Sequence, residues 1–371
     1  MRVVQILPEL DGGELARGTL DLVQELMRKG HECIVVSSGG ELVPRLTMRG
    51  AQHHRFPLEQ RSIWSLRRAG RLRRLLQGLE ADVLHVSGAV PARLTWQAWR
   101  RMPVGKRPRL VTSAHNESES RGGFFNRALV YGERVTAISE KLARSLRKSF
   151  PKRLQRSPDV IWRGVNTREF DRSAAVSGQW QLRLLNEYPQ LEGKYWLLIP
   201  AALAPVNGQR VFLQLLSALA REGADVFGLV VGDPPPGQEK FARNLEKLAL
   251  DLGLEERVLF LGARRDMREL YASSRITYHL VEQPASHSAR VSEALAMGCP
   301  VICYADDGAA ETVKRCFPQG LVERGDLAGL VRTSLDILEN PAVLDYAGLS
   351  VDETSTQLIQ LYEDLCQTPA G

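Results

Sequence analysis

The sequence predicts an α/β protein of two doubly wound domains, each a parallel sheet covered by helices on both faces. Three observations lead there. Short apolar runs alternate with helix-spaced stretches through the first half of the chain. The same alternation restarts after a polar stretch near Arg172–Gly193. The 371 residues exceed what one ordinary hydrophobic core holds.

In order, Arg2–Leu7 reads as a strand and Pro8–Gly13 as a loop. Glu14–Lys29 has helical spacing, with Leu15, Leu20, Leu22, Val23 and Leu26 as its apolar positions, and Gly30 ends it. Cys33–Ser37, Ala81–Val86, Arg109–Ser113 and Val135–Ile138 are further strands, with His85 near the end of one and His115 in the loop after another. Ser139 is placed to cap a helix over Glu140–Lys148. Asp159–Trp162 precedes a turn at Arg163–Asn166. In the second half, Trp196–Pro200, Val226–Val231, Val258–Leu261, Ile276–Leu280 and Val301–Tyr304 read as strands. Arg210–Arg221, Gln238–Leu252 and Met267–Ser273 read as the helices between them. The expected division is a first Rossmann-like domain over 1–172 and a second over 173–353, with a helix over 354–365 packing back on the first. In this architecture ligands bind outside the carboxyl ends of the strands, which places a central cleft between the two sheets.

Composition narrows the function classes. A hydrophobic fraction of 44% and a charged fraction of 25% are those of a globular protein, and no apolar run is long enough to span a bilayer. Five scattered cysteines form no zinc pattern and read as reduced thiols of a cytoplasmic protein. Residues 1–180 hold 32 Lys and Arg against 17 Asp and Glu, whereas the remainder holds 17 against 26. No nucleic-acid motif accompanies the basic half, so an anionic membrane surface or a phosphorylated glycolipid is its expected partner rather than nucleic acid. Arg61, Arg67, Arg68, Arg71, Arg73 and Arg74 concentrate that charge. On a helix, Arg67, Arg71 and Arg74 share one face, and Leu66, Ala69, Leu72 and Leu76 fall largely on another. Two readings stay open: a domain helix with a solvated face, or a basic amphipathic helix lying on the inner face of the cell membrane.

The most informative stretch is Val291–Val313, VSEALAMGCPVICYADDGAAETV. It reads as a short helix, a left-handed cap at Gly298, a stop at Pro300 and a buried strand over Val301–Tyr304. Taken alone, Glu293 is as well explained by a solvated helix position as by a ligand contact. The segment Glu293-Ala294-Leu295-Ala296-Met297-Gly298-Cys299-Pro300-Val301-Ile302 resembles the donor-binding signature of glycosyltransferase family 4, enzymes of the GT-B fold. Further resemblances follow in order: Gly12-Gly13 before a helix, Thr112–Asn116, Ala137–Glu140, Val160–Phe170, Gly232-Asp233, Leu252-Gly253-Leu254 and Val258–Gly262.

The resemblance implies a nucleotide-sugar substrate and neither metal nor other cofactor. Glu293 would hold the ribose, and Ser288, Arg290, Gly12 and Gly13 would meet the phosphates. His115 would be the catalytic-site histidine facing donor sugar and acceptor. Without the resemblance, Gly12-Gly13 is a plain turn, and His85 and His115 are structural histidines. The pattern also breaks. The family's first Glu is replaced by Ala285, with Glu282 the nearest carboxylate, and the Arg and Lys of its phosphate loop are replaced by Ala202 and Asn207. The expected function is therefore a glycosyltransferase, retaining in stereochemistry, acting on a cell-surface polysaccharide or lipopolysaccharide-type glycolipid. The alternative is a non-catalytic GT-B scaffold that binds a glycan, a glycolipid or a partner protein, and an epimerase on the same fold ranks third.

Overall fold

A computed structural model of the chain describes residues 1–58, 67–154, 156–283, 287–341, 344 and 346–368. It divides into two compact units, Met1–Gly164 with Leu349–Gly371, and Val165–Gly348.

The first unit is a parallel sheet of seven strands: β1 (Arg2–Ile6), β2 (Glu32–Ser37), β3 (Gln52–Arg55), β4 (Val83–Ser87), β5 (Arg109–Ala114), β6 (Arg134–Ala137) and β7 (Asp159–Val160), in the order β3-β2-β1-β4-β5-β6-β7. Alternation along β1 sends Val3 to one face and Val4 and Ile6 to the other. The first face is covered by helix Glu14–Arg28 and by the C-terminal helix Val351–Gln367, which contributes Ile359, Leu361, Tyr362 and Leu365. Ser350 and Glu353 start that last helix with a reciprocal capping box. A Cβ at Gly164 would overlap the Ser350 carbonyl, so glycine lets the outgoing and returning chain segments touch. Ser139 caps helix Glu140–Ser149 through the Leu142 N–H at 3.1 Å.

The second unit is a parallel sheet of six strands: β8 (Tyr195–Pro200), β9 (Val226–Val231), β10 (Val258–Gly262), β11 (Ile276–His279), β12 (Val301–Tyr304) and β13 (Leu321–Val322), in the order β10-β9-β8-β11-β12-β13. All residues of β9 and β12 are buried, which explains their unbroken apolar runs. Gly298 adopts the left-handed conformation, φ 78°, that ends helix Ala289–Ala296.

Four stretches differ from expectation or resolve it. The edge strands β3 and β13 carried no strand signal: β3 reads Gln-His-His-Arg and β13 is two residues long. The polar stretch near Arg172–Gly193 contains a helix, Gly178–Glu187, whose Trp180 and Leu184 join the second core. The basic stretch of the first half folds as helix Ala69–Gly78, and its apolar residues Ala69, Leu72 and Leu76 are buried against Val4, Ile6 and Val86. Of the two readings of this stretch, the domain helix with a solvated face describes Ala69–Gly78: its apolar face is spent on the unit's own core, and a basic face with exposed Arg71 and Arg74 is left for solvent. Arg68 and Arg73 donate to the Pro57 and Arg101 carbonyls. Arg61 lies outside the described residues. Among the described residues no helix is long and apolar enough to cross a membrane.

Candidate functional site

In the second unit, the loop after β11 leads into helix Ala289–Ala296. Ser288 is its N-cap, extended at φ −140° and ψ 114°, buried, and with no side-chain capping bond. Glu293 lies one turn further and is partly buried. The Tyr271 hydroxyl donates to its Oε2 at 3.3 Å. Tyr271 is fully buried and packs on Phe170, ring centroids 6.2 Å apart. Burial first, and then the Glu293 charge, raise the Tyr271 pKa well above the usual phenol range, while Arg290 acts in the opposite sense. Tyr271 therefore stays a proton donor, and it fixes the carboxylate. Arg290 itself is exposed at the first turn.

The neighbouring loop, 201–208, is seated by two glycines. A Cβ at Gly208, φ 80°, would overlap the Leu280 carbonyl, and one at Gly232 would overlap that of Ala201. The Glu282 N–H donates to Val206 O at 2.8 Å, tying the loops after β8 and β11 together. The two positions expected to carry cations in this loop meet each other: Asn207 Nδ2 donates to Ala202 O at 2.8 Å, and Gln209 Nε2 donates to the same oxygen at 2.8 Å. The polar groups of this loop are thus turned onto its own backbone. Other nearby arginines are engaged elsewhere. Arg264 forms a bidentate pair with Asp266, and Arg210 lies over Phe241 at 5.3 Å. Ala285 lies outside the described residues.

In the first unit, His115 follows β5 and its Nε2 shares a hydrogen bond with Ser87 Oγ, at the end of β4, at 3.0 Å. Its backbone N–H donates to Glu119 Oε2 at 2.6 Å, part of a capping box in which Asn116 starts the next short helix. His115 Nδ1 is buried and has no hydrogen-bond partner among the described residues. Burial first, then the charges of Arg163 and His85, lower its pKa well below the usual imidazole range, so the ring is neutral. Arg163 is partly buried and pairs with Glu14 at 2.9 Å, at the start of the helix that Gly13 caps. Gly12 N–H donates to Glu41 Oε1 at 3.1 Å, and Gly13 N–H to Asp11 O at 2.5 Å. An incoming phosphate would have to displace the Glu41 carboxylate. Below His115 runs a buried polar chain. Gln5 donates to the Tyr362 hydroxyl at 3.4 Å, that hydroxyl meets His85 Nδ1 at 2.6 Å, His85 Nε2 meets Ser113 Oγ at 2.5 Å, and Ser113 meets Thr136.

Sequence reasoning missed Tyr271, Ser87, Arg163 and Tyr362. Arg163 stood in a segment singled out by the family resemblance; Tyr271 and Tyr362 lay in expected helices with no signal of a site, and Ser87 lay just past an expected strand.

The arrangement can be set beside known proteins. Residues 13–169 match the model of Glycosyltransferase Family 4, and residues 184–350 match that of Glycosyl transferases group 1. The chain belongs to glycosyltransferase family 4. This family 4 glycosyltransferase is 24% identical over 339 residues to the N-acetyl-alpha-D-glucosaminyl L-malate synthase of Bacillus anthracis, covering 89% of this chain and 85% of the relative. Its structure is similar to a glycosyltransferase from Rickettsia africae, at a TM-score of 0.84, 20% identity and 99% coverage of both chains. It is also similar to the Anabaena protein Alr3699/HepE, solved in complex with UDP, at a TM-score of 0.81, 18% identity and coverage of 98% and 100%. Two parallel α/β domains and these likenesses make the fold of the family 4 transferase GT-B.

Proposed function

We propose that this glycosyltransferase moves a sugar, with retention, from a nucleotide-sugar donor to a cell-surface polysaccharide or lipopolysaccharide-type glycolipid. The observation that carries the donor half is Glu293, partly buried and held by Tyr271 within the family segment. A fixed carboxylate accepts hydrogen bonds from both ribose hydroxyls. The UDP complex of the similar Anabaena protein supports a nucleotide donor. Arg290 and the N-terminus of helix Ala289–Ala296, with Ser288, then face the diphosphate and stabilise its developing charge without a metal. In the transfer, the anomeric C–O bond to the diphosphate breaks and the acceptor hydroxyl oxygen takes its place. The hydroxyl proton leaves with the diphosphate. His115, neutral and with Nδ1 unspent, orients a hydroxyl of sugar or acceptor rather than supplying charge. The basic first half supports an anionic acceptor and a cytoplasmic protein held peripherally on the membrane's inner face through Arg67, Arg71 and Arg74.

One observation favours the second reading, a scaffold that has lost its donor: the loop of Ala202 and Asn207 is closed on itself and carries no cation. Titration with UDP separates the two. Wild-type binding that collapses in Arg290→Ala marks a transferase with a relocated cation. Binding that appears only in Ala202→Arg with Asn207→Lys marks the scaffold. Failure of that folded double variant to bind removes the loop from the diphosphate site.

A further inference from the structure

The first unit carries a second feature that the donor chemistry does not use. Helix Ala89–Trp99 begins just after Ser87 and Gly88, and it bears Arg93 and Trp96, with Arg100 at its C-cap. The Arg93 guanidinium lies 3.9 Å from the centroid of Phe124 and 5.3 Å from that of Trp96, and Arg100 lies 4.5 Å from that of Trp96. Trp96 in turn packs on Tyr131 at 4.5 Å. Phe124, 45% exposed, stands in the loop that follows the capped turn after His115.

The Arg93 guanidinium has the Tyr131 side chain as a hydrogen-bond partner, which satisfies it only in part. Arg93 Nε is buried and has no hydrogen-bond partner among the described residues. Burial, opposed by Tyr131 and reinforced by the charges of Arg100 and Arg127, lowers its affinity for its proton; the full charges acting on it are arginines. Packing like charges together is unfavourable in the free protein, and the penalty is relieved when an anion enters. The rings hold the guanidinium planes in place through cation–π contact, so the forks are set in advance for an oxyanion.

We propose that Arg93 and Arg100, on their platform of Phe124, Trp96 and Tyr131, form an anion subsite that binds a phosphate or carboxylate group of the sugar acceptor. The placement supports this. The connections that carry Arg93 and Phe124 leave β4 and β5 directly beyond Ser87 and His115, which are hydrogen-bonded to each other, and Arg100 stands at the far end of the same helix, its carbonyl accepting from Arg107. Calling the carrier of the anion an acceptor rests on the transferase reading; the anion site itself does not.

The test is calorimetric titration of the full chain with glycerol 3-phosphate and with L-malate, together with co-sedimentation on phosphatidylcholine vesicles with and without phosphatidylglycerol. Arg93→Gln with Arg100→Gln keeps much of the stem packing and removes the charge. We expect this pair to weaken binding of the anion at least about tenfold, 1.4 kcal/mol. Arg93→Lys should lose most of the affinity too, since an ammonium has no fork. Anion binding should change the fluorescence of the wild type and not of Trp96→Phe. Removing two exposed charges elsewhere, Arg147→Gln with Lys148→Gln, should leave affinity unchanged. Binding of soluble anions without vesicles points to a water-soluble acceptor, and vesicle binding lost in the Arg93 and Arg100 pair points to a lipid headgroup. The proposal is overturned if no probe binds the wild type, if the folded pair binds as well as the wild type, or if the Arg147 and Lys148 control loses as much. UDP titration of the same variants separates the two levels. Lost anion binding with intact UDP binding belongs to this subsite, and absent UDP binding in the wild type belongs to the donor reading.

Discussion

His85 shows how one buried side chain couples folding to pH. It is 4% exposed, and burial pushes its pKa down to about 4. In the unfolded chain an imidazole titrates near 6.5. Between those values the unfolded state binds the proton and the folded state does not, so stability falls as pH drops through that window. A shift of this size corresponds to about 3 kcal/mol lost by pH 4. Urea unfolding at pH 7.5 and pH 5 should show the loss, and His85→Gln, which keeps hydrogen-bonding groups and cannot titrate, should shrink it. An equal pH dependence in the variant would assign the effect to other groups, His115 first, because its pKa is lowered by the same burial. At the donor side, Tyr271→Phe removes only the 3.3 Å bond to Glu293. It should weaken UDP binding by about 0.5–1.5 kcal/mol through a less well-fixed carboxylate, less than removing Glu293 itself. A loss as large as that of Glu293→Ala would give Tyr271 a direct ligand contact.

At the scale of elements, helix Ala69–Gly78 decides between core and membrane. Leu72 is fully buried, so Leu72→Ala should cost about 2–5 kcal/mol in urea unfolding. Arg71→Glu with Arg74→Glu should change stability by no more than about 0.5 kcal/mol, since both side chains are exposed. The opposite ranking would contradict the packing described. This helix also marks what a sequence displays. Its spacing was legible, but the partner of its apolar face was not, because a bilayer and a sheet both accept Leu72 and Leu76. Central strands such as Val226–Val231 and Val301–Tyr304 were legible to the residue because burial on both faces leaves only apolar side chains. The edge strand Gln52–Arg55 was not, since its side chains are at most half-buried. Glu293 stood out through the family segment. Its holder Tyr271 did not, because the contact spans 22 residues and the helix that carries it reads as ordinary core.

Across the whole molecule, charge and family membership act together. The basic half of the sequence coincides with the first unit, where the arginines of helix Ala69–Gly78 and of Ala89–Trp99 lie, and the acidic half with most of the second. With Leu72 and Leu76 buried, any attachment to a bilayer through this helix would be electrostatic and salt-sensitive. Charge reversal at Arg67, Arg71 and Arg74 should reduce co-sedimentation with anionic vesicles, and equal binding to neutral vesicles would contradict the attachment. The donor reading is tested most directly by calorimetric titration of the wild type and Glu293→Ala with a panel of nucleoside diphosphates and nucleotide sugars. At least one should bind the wild type, and Glu293→Ala should weaken it by about 1.5–3 kcal/mol, the range for hydrogen bonds to a charged group. Failure of every nucleotide to bind the wild type, or equal affinity in a correctly folded Glu293→Ala, would contradict the donor reading.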